Sequence, residues 1–321
     1  MTALRALEIL TGEGAAALAA VAVAAALELT IGEPTNRFHP IAWLGRVVAP
    51  LDREWDRPLL VGTVSAVALP LAVGSFVGIS VAVVASVSII AGVAAAGLAL
   101  FLTTSLRELL AAANGVVDDT ENDLPAAREG LLALAGRDAS ALSAGQVRSA
   151  AVESAAENLA DGLVASLGAF VLAGLLAGGL GLPALPVAAG AAAWVKTVNT
   201  MDSMLGYRSK RVGTPAARLD DAAMWLPARA SAVLLAVAFA SPRSLALARE
   251  WLDAVPSPNS GWPMGTTAAA LGVRLEKPGA YVLNPAADLP SGAAARRGVA
   301  RVGVAGLLAY LLAGAGVLAW S

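Results

Sequence analysis

The sequence predicts an all-α fold, a polytopic integral membrane helical bundle with cytoplasmic loops and re-entrant segments. Three observations carry this expectation. Hydrophobic residues make up 57% of the chain and charged residues only 14%, against roughly 25% charged in soluble domains. The mean hydropathy is +0.70. Several uncharged runs are long enough to cross a hydrocarbon core that takes about 20 residues of helix.

Taken in order, Gly14 to Gly32 reads as a first span with Glu28 near its end. Only Arg5 is basic before it, and Glu8 and Glu13 interrupt the approach, so this helix is expected to be retained rather than cleaved as a signal peptide. Leu59 to Leu106 holds no charge over 48 positions, room for two spans at 59–81 and 83–106. Gly162 to Val195 is uncharged over 34 residues but broken by a glycine-rich turn ending at Pro183, which predicts a tilted or re-entrant hairpin of 162–180 and 184–205. The segment 230–242 is uncharged for 13 residues, a length for a re-entrant or interfacial helix. Val302 to Ser321 is uncharged over 20 residues and supplies the last span, 302–320. Trp55, Trp194 and Trp225 fall where interfacial aromatics belong.

Lys and Arg collect at 32–58, 107–161 and 206–229, which this span count puts on one side, the cytoplasm by the positive-inside rule. The region 243–301 carries seven basic residues and is expected on the same face. The chain therefore reads as a single membrane domain over 1–321, with 107–161 and 243–301 as polar connections forming part of an active face. Twenty-two basic against 24 acidic residues leave no electrostatic footprint for nucleic acid. No cysteine is present, which excludes disulfide and thiolate chemistry.

Charges at the edges of apolar runs are costly unless they bind something. Glu153, Glu157 and Asp161 recur every four residues with Asn158 beside them. On one helix face such like charges repel by about 0.2–0.5 kcal/mol per pair. A Mg²⁺ bridging carboxylates and phosphates relieves that repulsion; a solvated helix start, favoured by its dipole, is the plainer explanation. Further on, Lys196, Asn199 and Asp202 bring three kinds of polar group to one depth. Tyr207, Arg208, Lys210 and Arg211 follow as a basic exit, either a phosphate holder or the positive flank of a span. Asp220 and Asp221 lie between Arg218 and Arg229, suited to a helix start, a metal or an amine. His39 is the sole histidine, in a proline-flanked loop, and Asn259 sits in the turn-rich PNSGWP. No phosphate-binding glycine loop, dinucleotide fingerprint or H-E-x-x-H motif occurs.

In this order, HPIAWLGR, VESAAENLADG, KTVNTMDSMLGYRSKR, ARLDDAAMWLPAR and NSGWPMGTTAAALGVRLEKPGAYV resemble the membrane-bound adenosylcobinamide-phosphate synthase family of cobalamin biosynthesis, over roughly residues 25–285. The resemblance implies an amide ligase joining adenosylcobyric acid to (R)-1-amino-2-propanol or its O-phosphate, with ATP and Mg²⁺, at the cell membrane beside lipid and other corrinoid-pathway enzymes. It implies catalytic roles for Glu153, Glu157, Asp202, Asp220 and Asp221. Glu153, Glu157, Asn158 and Asp161 would serve a metal. His39, Lys196, Asn199, Tyr207, Arg208, Arg218, Arg229 and Asn259 would bind substrate. The chain departs from the pattern at Glu28 and Glu33, where aspartate is expected, at Ser166, which replaces a proline, and at Met264, which replaces an acid. Two other readings suit the same layout: a corrin-binding scaffold without chemistry, and a transporter, which would show charges at mid-membrane and matching halves.

Overall fold

The computed structural model describes residues 12–32, 37, 39–136, 138–206 and 210–320. The fold is helical, with one two-stranded hairpin among the described residues. Five helical runs are long and apolar enough to cross a membrane, or six if one bent pair counts as a span. The chain divides into two compact units, the first formed by residues up to Ser105, Ala165–Ala223 and from Ala309 onward, the second by Leu106–Val164 and Met224–Leu308.

In the first unit, α1 (Glu13–Thr30) is followed by α2 (Pro40–Val48), a 3-10 turn Ala49–Leu51, α3 (Pro58–Val87) and α4 (Ile89–Phe101). At 30 residues, α3 is about 45 Å long, well beyond the 59–81 expected. The break comes at Ser88, not near residue 82, because Ser88 is extended and its hydroxyl accepts from the Ala91 N–H at 3.4 Å, capping α4. Residues 82–87 hold no such cap, so the helix continues through them. After the excursion of the second unit come α8 (Ala165–Gly179), α9 (Ala184–Leu205), a 3-10 turn Arg211–Gly213 and α10 (Thr214–Ala223).

The central helix is α9, which packs against α2, α3, α4, α8 and α10. Glycine permits the approach to α3: a Cβ on Gly190 would stand 2.7 Å from the Gly74 carbonyl oxygen, and one on Gly78 would stand 3.0 Å from that of Pro186. Despite its 22 residues, α9 is not among the five candidate spans. Thirteen of those residues are buried, so neighbouring helices rather than lipid surround the segment that carries Lys196, Asn199 and Asp202. Glu28, 1% exposed, is handled in the same way: the Tyr310 hydroxyl donates to Thr104 Oγ1 at 3.2 Å, and Thr104 Oγ1 lies 3.1 Å from Glu28 Oε2.

The second unit gathers the two polar connections. It contains α5 (Leu106–Asn122), α6 (Leu124–Ala135), α7 (Ala144–Leu159), a π turn Ala160–Val164, α11 (Trp225–Ala238), α12 (Arg243–Ala248), a 3-10 turn Arg249–Ala254 and α13 (Gly261–Leu271). The hairpin β1 (Leu275–Lys277) and β2 (Tyr281–Leu283) follows, then α14 (Gly292–Val317), whose residues to Leu308 belong here. Region 107–161 is mostly helical, and its ends are signalled: Asp123 caps α6 before Pro125, Gly136 closes it at φ +59, and Ser143 with Gln146 forms a capping box on α7. Val147, Val152, Leu131, Met264, Leu275 and Leu283 share one apolar core. The hairpin pairs Leu275 with Leu283 and Lys277 with Tyr281, and turns at Gly279, φ +76.

Three expected boundaries move. The span expected at 162–180 is the end of a 36-residue run from Ala144 to Gly179, so it is not one short half of a hairpin. The last span starts at Gly292 rather than 302, since Arg296 finds Asp118 and Glu121 at 3.1 Å on α5. The piece expected at 230–242 falls largely in α11, which starts earlier, at Trp225, and ends at Ala238.

Gly190→Val is expected to destabilise the protein by about 1–3 kcal/mol through overpacking, whereas Gly168→Ala, with no neighbour within 4 Å of the added carbon, should leave thermal unfolding in detergent unchanged.

Candidate functional site

On α7 the acidic stripe divides. Glu153 is 0% exposed. Its Oε1 accepts from Ser149 Oγ at 2.9 Å and its Oε2 from the Tyr281 hydroxyl at 2.7 Å. Ser149 in turn accepts the Glu276 N–H at 2.7 Å, and Gln146 Nε2 donates to the Glu276 side chain at 3.0 Å. Two hydroxyls from α7 and the hairpin therefore satisfy a carboxylate in the core, which makes Glu153 a tie between these elements. The sulfur of Met264 lies 3.6 Å from the same Tyr281 hydroxyl and is itself 1% exposed.

Glu157, Asn158 and Asp161 are half-buried. Asn158 Nδ2 donates to the Ser154 carbonyl at 2.9 Å. Asp161 lies in the π turn, where the regular helical step that defined the stripe is interrupted. Among the described residues no group of three or more His, Asp or Glu is placed to hold a metal ion. The expected set of Glu153, Glu157, Asn158 and Asp161 is thus not a three-carboxylate cluster, because Glu153 bonds to Tyr281 and Ser149. Both the π turn and the hairpin escaped sequence reasoning; Asp161-Gly162 and the Pro278-Gly279 turn between short apolar flanks were the available signals.

Elsewhere in this unit, Arg229 and Asn259 meet across 30 residues of sequence. Arg229 Nη1 donates to Asn259 Oδ1 at 3.1 Å and to the Trp225 carbonyl at 2.7 Å. The guanidinium lies 4.3 Å from the Trp225 ring centre and 5.3 Å from that of Trp262, geometry that holds an arginine by cation–π attraction while leaving other N–H groups for a ligand. Asn259 is positioned by its own loop, its N–H donating to Ser257 Oγ at 3.2 Å. Trp262 and Arg249, whose guanidinium is 5.7 Å from the Trp262 ring, were not singled out by the sequence.

In the first unit, His39 caps α2, its Nδ1 accepting the Ile41 N–H at 3.1 Å. The neutral ring therefore carries its proton on Nε2. Burial, and then the Lys196 ammonium, push its pKa below the ordinary 6.5, so the imidazole is neutral at pH 7. Asn199 is 8% exposed, and its carbonyl accepts from Ser203 Oγ at 2.9 Å. Asp202 ends α9: its carbonyl takes the Gly206 N–H at 2.7 Å, and a Cβ on residue 206 would run into its carboxylate. A Cβ on Gly213 would likewise strike the Leu205 carbonyl, so both glycines are required by close packing. On α10, Arg218 is exposed, Asp220 buried and Asp221 half-buried. Tyr207 and Arg208, and with them Glu33, lie outside the described residues. A cavity of about 460 Å³ opens between α2, α3, α4 and α9, lined mainly by apolar side chains such as Trp43, Phe76 and Leu98.

The model of the CobD/Cbib protein family matches residues 21–305. The chain is 33% identical over 280 residues to the probable cobalamin biosynthesis protein CobD of Methanothermobacter thermautotrophicus, covering 83% of this chain and 86% of that one. It is 33% identical over 332 residues to cobalamin biosynthesis protein CobD of Rhodobacter capsulatus, covering 94% and 98%. With cobalamin biosynthesis protein CobD of Klebsiella pneumoniae it shares 35% over 282 residues, covering 82% and 83%. No solved structure matches the chain.

Two outcomes are expected. Tyr281→Phe leaves Glu153 one donor short in the core, and its unfolding free energy should fall by about 1–3 kcal/mol. The single imidazole should titrate below 6.5 by NMR, and Lys196→Met should move it upward without restoring the ordinary value, because burial remains. Since the unfolded chain binds this proton more readily, the histidine's contribution to stability declines as pH falls through 6.5.

Proposed function

The chain belongs to the CobD/Cbib protein family of cobalamin biosynthesis, and from that premise we propose that it is an amide ligase. It joins the side-chain carboxylate of adenosylcobyric acid to (R)-1-amino-2-propanol or its O-phosphate, at the cytoplasmic face of the membrane, in company with other corrinoid-pathway enzymes. The observation that carries this reading is that the family match over 21–305 runs through every charged string from His39 to Asn259.

An ionised carboxylate is a poor electrophile, and its oxygen is a poor leaving group. The reaction therefore transfers the terminal phosphoryl group of ATP to a carboxylate oxygen, releasing ADP; the amine then attacks the carbonyl carbon, phosphate departs, and the amine loses a proton. Mg²⁺ takes one or two protein carboxylates together with substrate phosphates, a demand that half-buried Glu157 and Asp161 fit without Glu153. When bound it would neutralise charge on the transferring group.

The chain's own residues do the rest. Asn199 and Asp202 order the phosphate-bearing part of the site, and Lys196, Arg208 and Arg218 bind phosphate or corrin carboxylates. Arg229, presented by Asn259 and two indoles, recognises an oxygen-bearing side chain of the corrin. His39, neutral with its proton on Nε2, donates a hydrogen bond to substrate, and Tyr207 lies in the same family string. Asp220 or Asp221 orients the amine and accepts its proton.

One observation favours the corrin-binding scaffold instead: a thioether, Met264, stands beside the Tyr281 hydroxyl where the resemblance expects an acid. Purified protein incubated with adenosylcobyric acid, aminopropanol or its phosphate, and MgATP separates the readings. Amide product supports the ligase; corrin binding without product supports the scaffold. In that assay Asp202→Asn should lower turnover by about 10²-fold or more, and unchanged turnover removes Asp202 from the mechanism.

A further inference from the structure

A second polar site lies in the first unit, at the start of α3. The chain segment before α3 and residues 210–212 line a cavity of about 450 Å³. Asp52, Arg53, Glu54, Trp55, Lys210 and Arg211 line it together with Pro58, the first residue of α3. These charges are not interchangeable. Lys210 Nζ is held by Asp52 Oδ2 at 2.7 Å, so these two neutralise each other. The Arg53 guanidinium carbon lies 4.0 Å from the Trp55 ring centre, and the indole is fixed by its Nε1–H donating to the Leu51 carbonyl at 3.0 Å. Neither Arg53 nor Arg211 has a carboxylate partner among the described residues. Two guanidiniums and one remaining carboxylate, Glu54, therefore line a cavity at the end of a candidate span.

We propose that this pocket binds a phosphate group. A guanidinium offers paired, planar donors that match phosphate oxygens, and stacking on Trp55 holds Arg53 in place before a ligand arrives, which reduces the side-chain ordering that binding must pay for. A cavity at the end of α3 is reachable both by a phospholipid headgroup and by a free phosphate such as that of a nucleotide. The assignment rests on the pocket alone and is independent of the ligase reading.

The test uses the purified full-length protein without corrin acid or amine. One arm measures binding of pyrophosphate and ATP in neutral detergent; the other measures retention of phosphatidylglycerol against phosphatidylcholine in nanodiscs. Arg53→Gln and Arg211→Gln should each weaken binding in one arm by about tenfold, the effect of losing one charge-assisted hydrogen bond. Asp52→Asn, which removes a carboxylate from the pocket, should tighten it by roughly threefold, a gain that misfolding cannot produce. The arm that shows this order names the source of the phosphate. Wild-type protein that binds neither probe, or any other order of the variants in both arms, overturns the proposal. Amide formation by a chain lacking this order leaves the ligase reading intact and removes only the pocket; the order without amide does the reverse.

Discussion

A polar side chain placed among apolar helices must find its partners within the protein, because neither lipid nor a dry core supplies any. Most of the structure can be understood from that requirement. Glu28 meets the Thr104 hydroxyl, itself backed by Tyr310. Glu153 meets Ser149 and Tyr281, and that need gives a short hairpin in an otherwise helical chain its role. Arg229 meets Asn259 and two indole faces. In each case residues far apart in sequence are joined by one polar group.

The second constraint is shape. Without a hydrophobic force between helices in lipid, close packing depends on small residues, and Gly74, Gly78 and Gly190 let α3 and α9 approach until backbone meets backbone. That approach encloses α9 on several sides. An enclosed helix can carry a lysine, an asparagine and an aspartate that a lipid-facing helix of the same length would expose at high cost. The polar string on α9 and the glycines on its partner are thus two parts of one solution.

The family match spans the charged strings that the physical reading singles out, and the structure gives their members different work. Glu153 and Glu157 look equivalent in sequence; Glu153 is fully buried and bonds two core hydroxyls, while Glu157 is half-buried. His39 acts first as a helix cap, and that duty places its proton on Nε2. Arg229 gains meaning from Trp262, a residue of the PNSGWP turn whose ring lies 5.3 Å from the guanidinium.

The sequence by itself determined the fold class, the apolar runs, the charged strings and the family, because composition, run length and ordered motifs are properties of the chain that survive without coordinates. Cap and turn residues such as Asp123, Ser143 and Gly136 account for helix ends that the structure places. Tertiary structure alone decided where the long helices break, since continuous apolar sequence between 59 and 106 carries no signal stronger than the single cap at Ser88. It alone decided that α5 to α7, α13 and the hairpin share one core, that the 153–161 stripe is divided by a hydroxyl pair and a π turn, and that Arg229 faces Asn259. Those outcomes depend on which side chains meet across tens of residues, and a periodicity of 3.6 reports only neighbours on one helix.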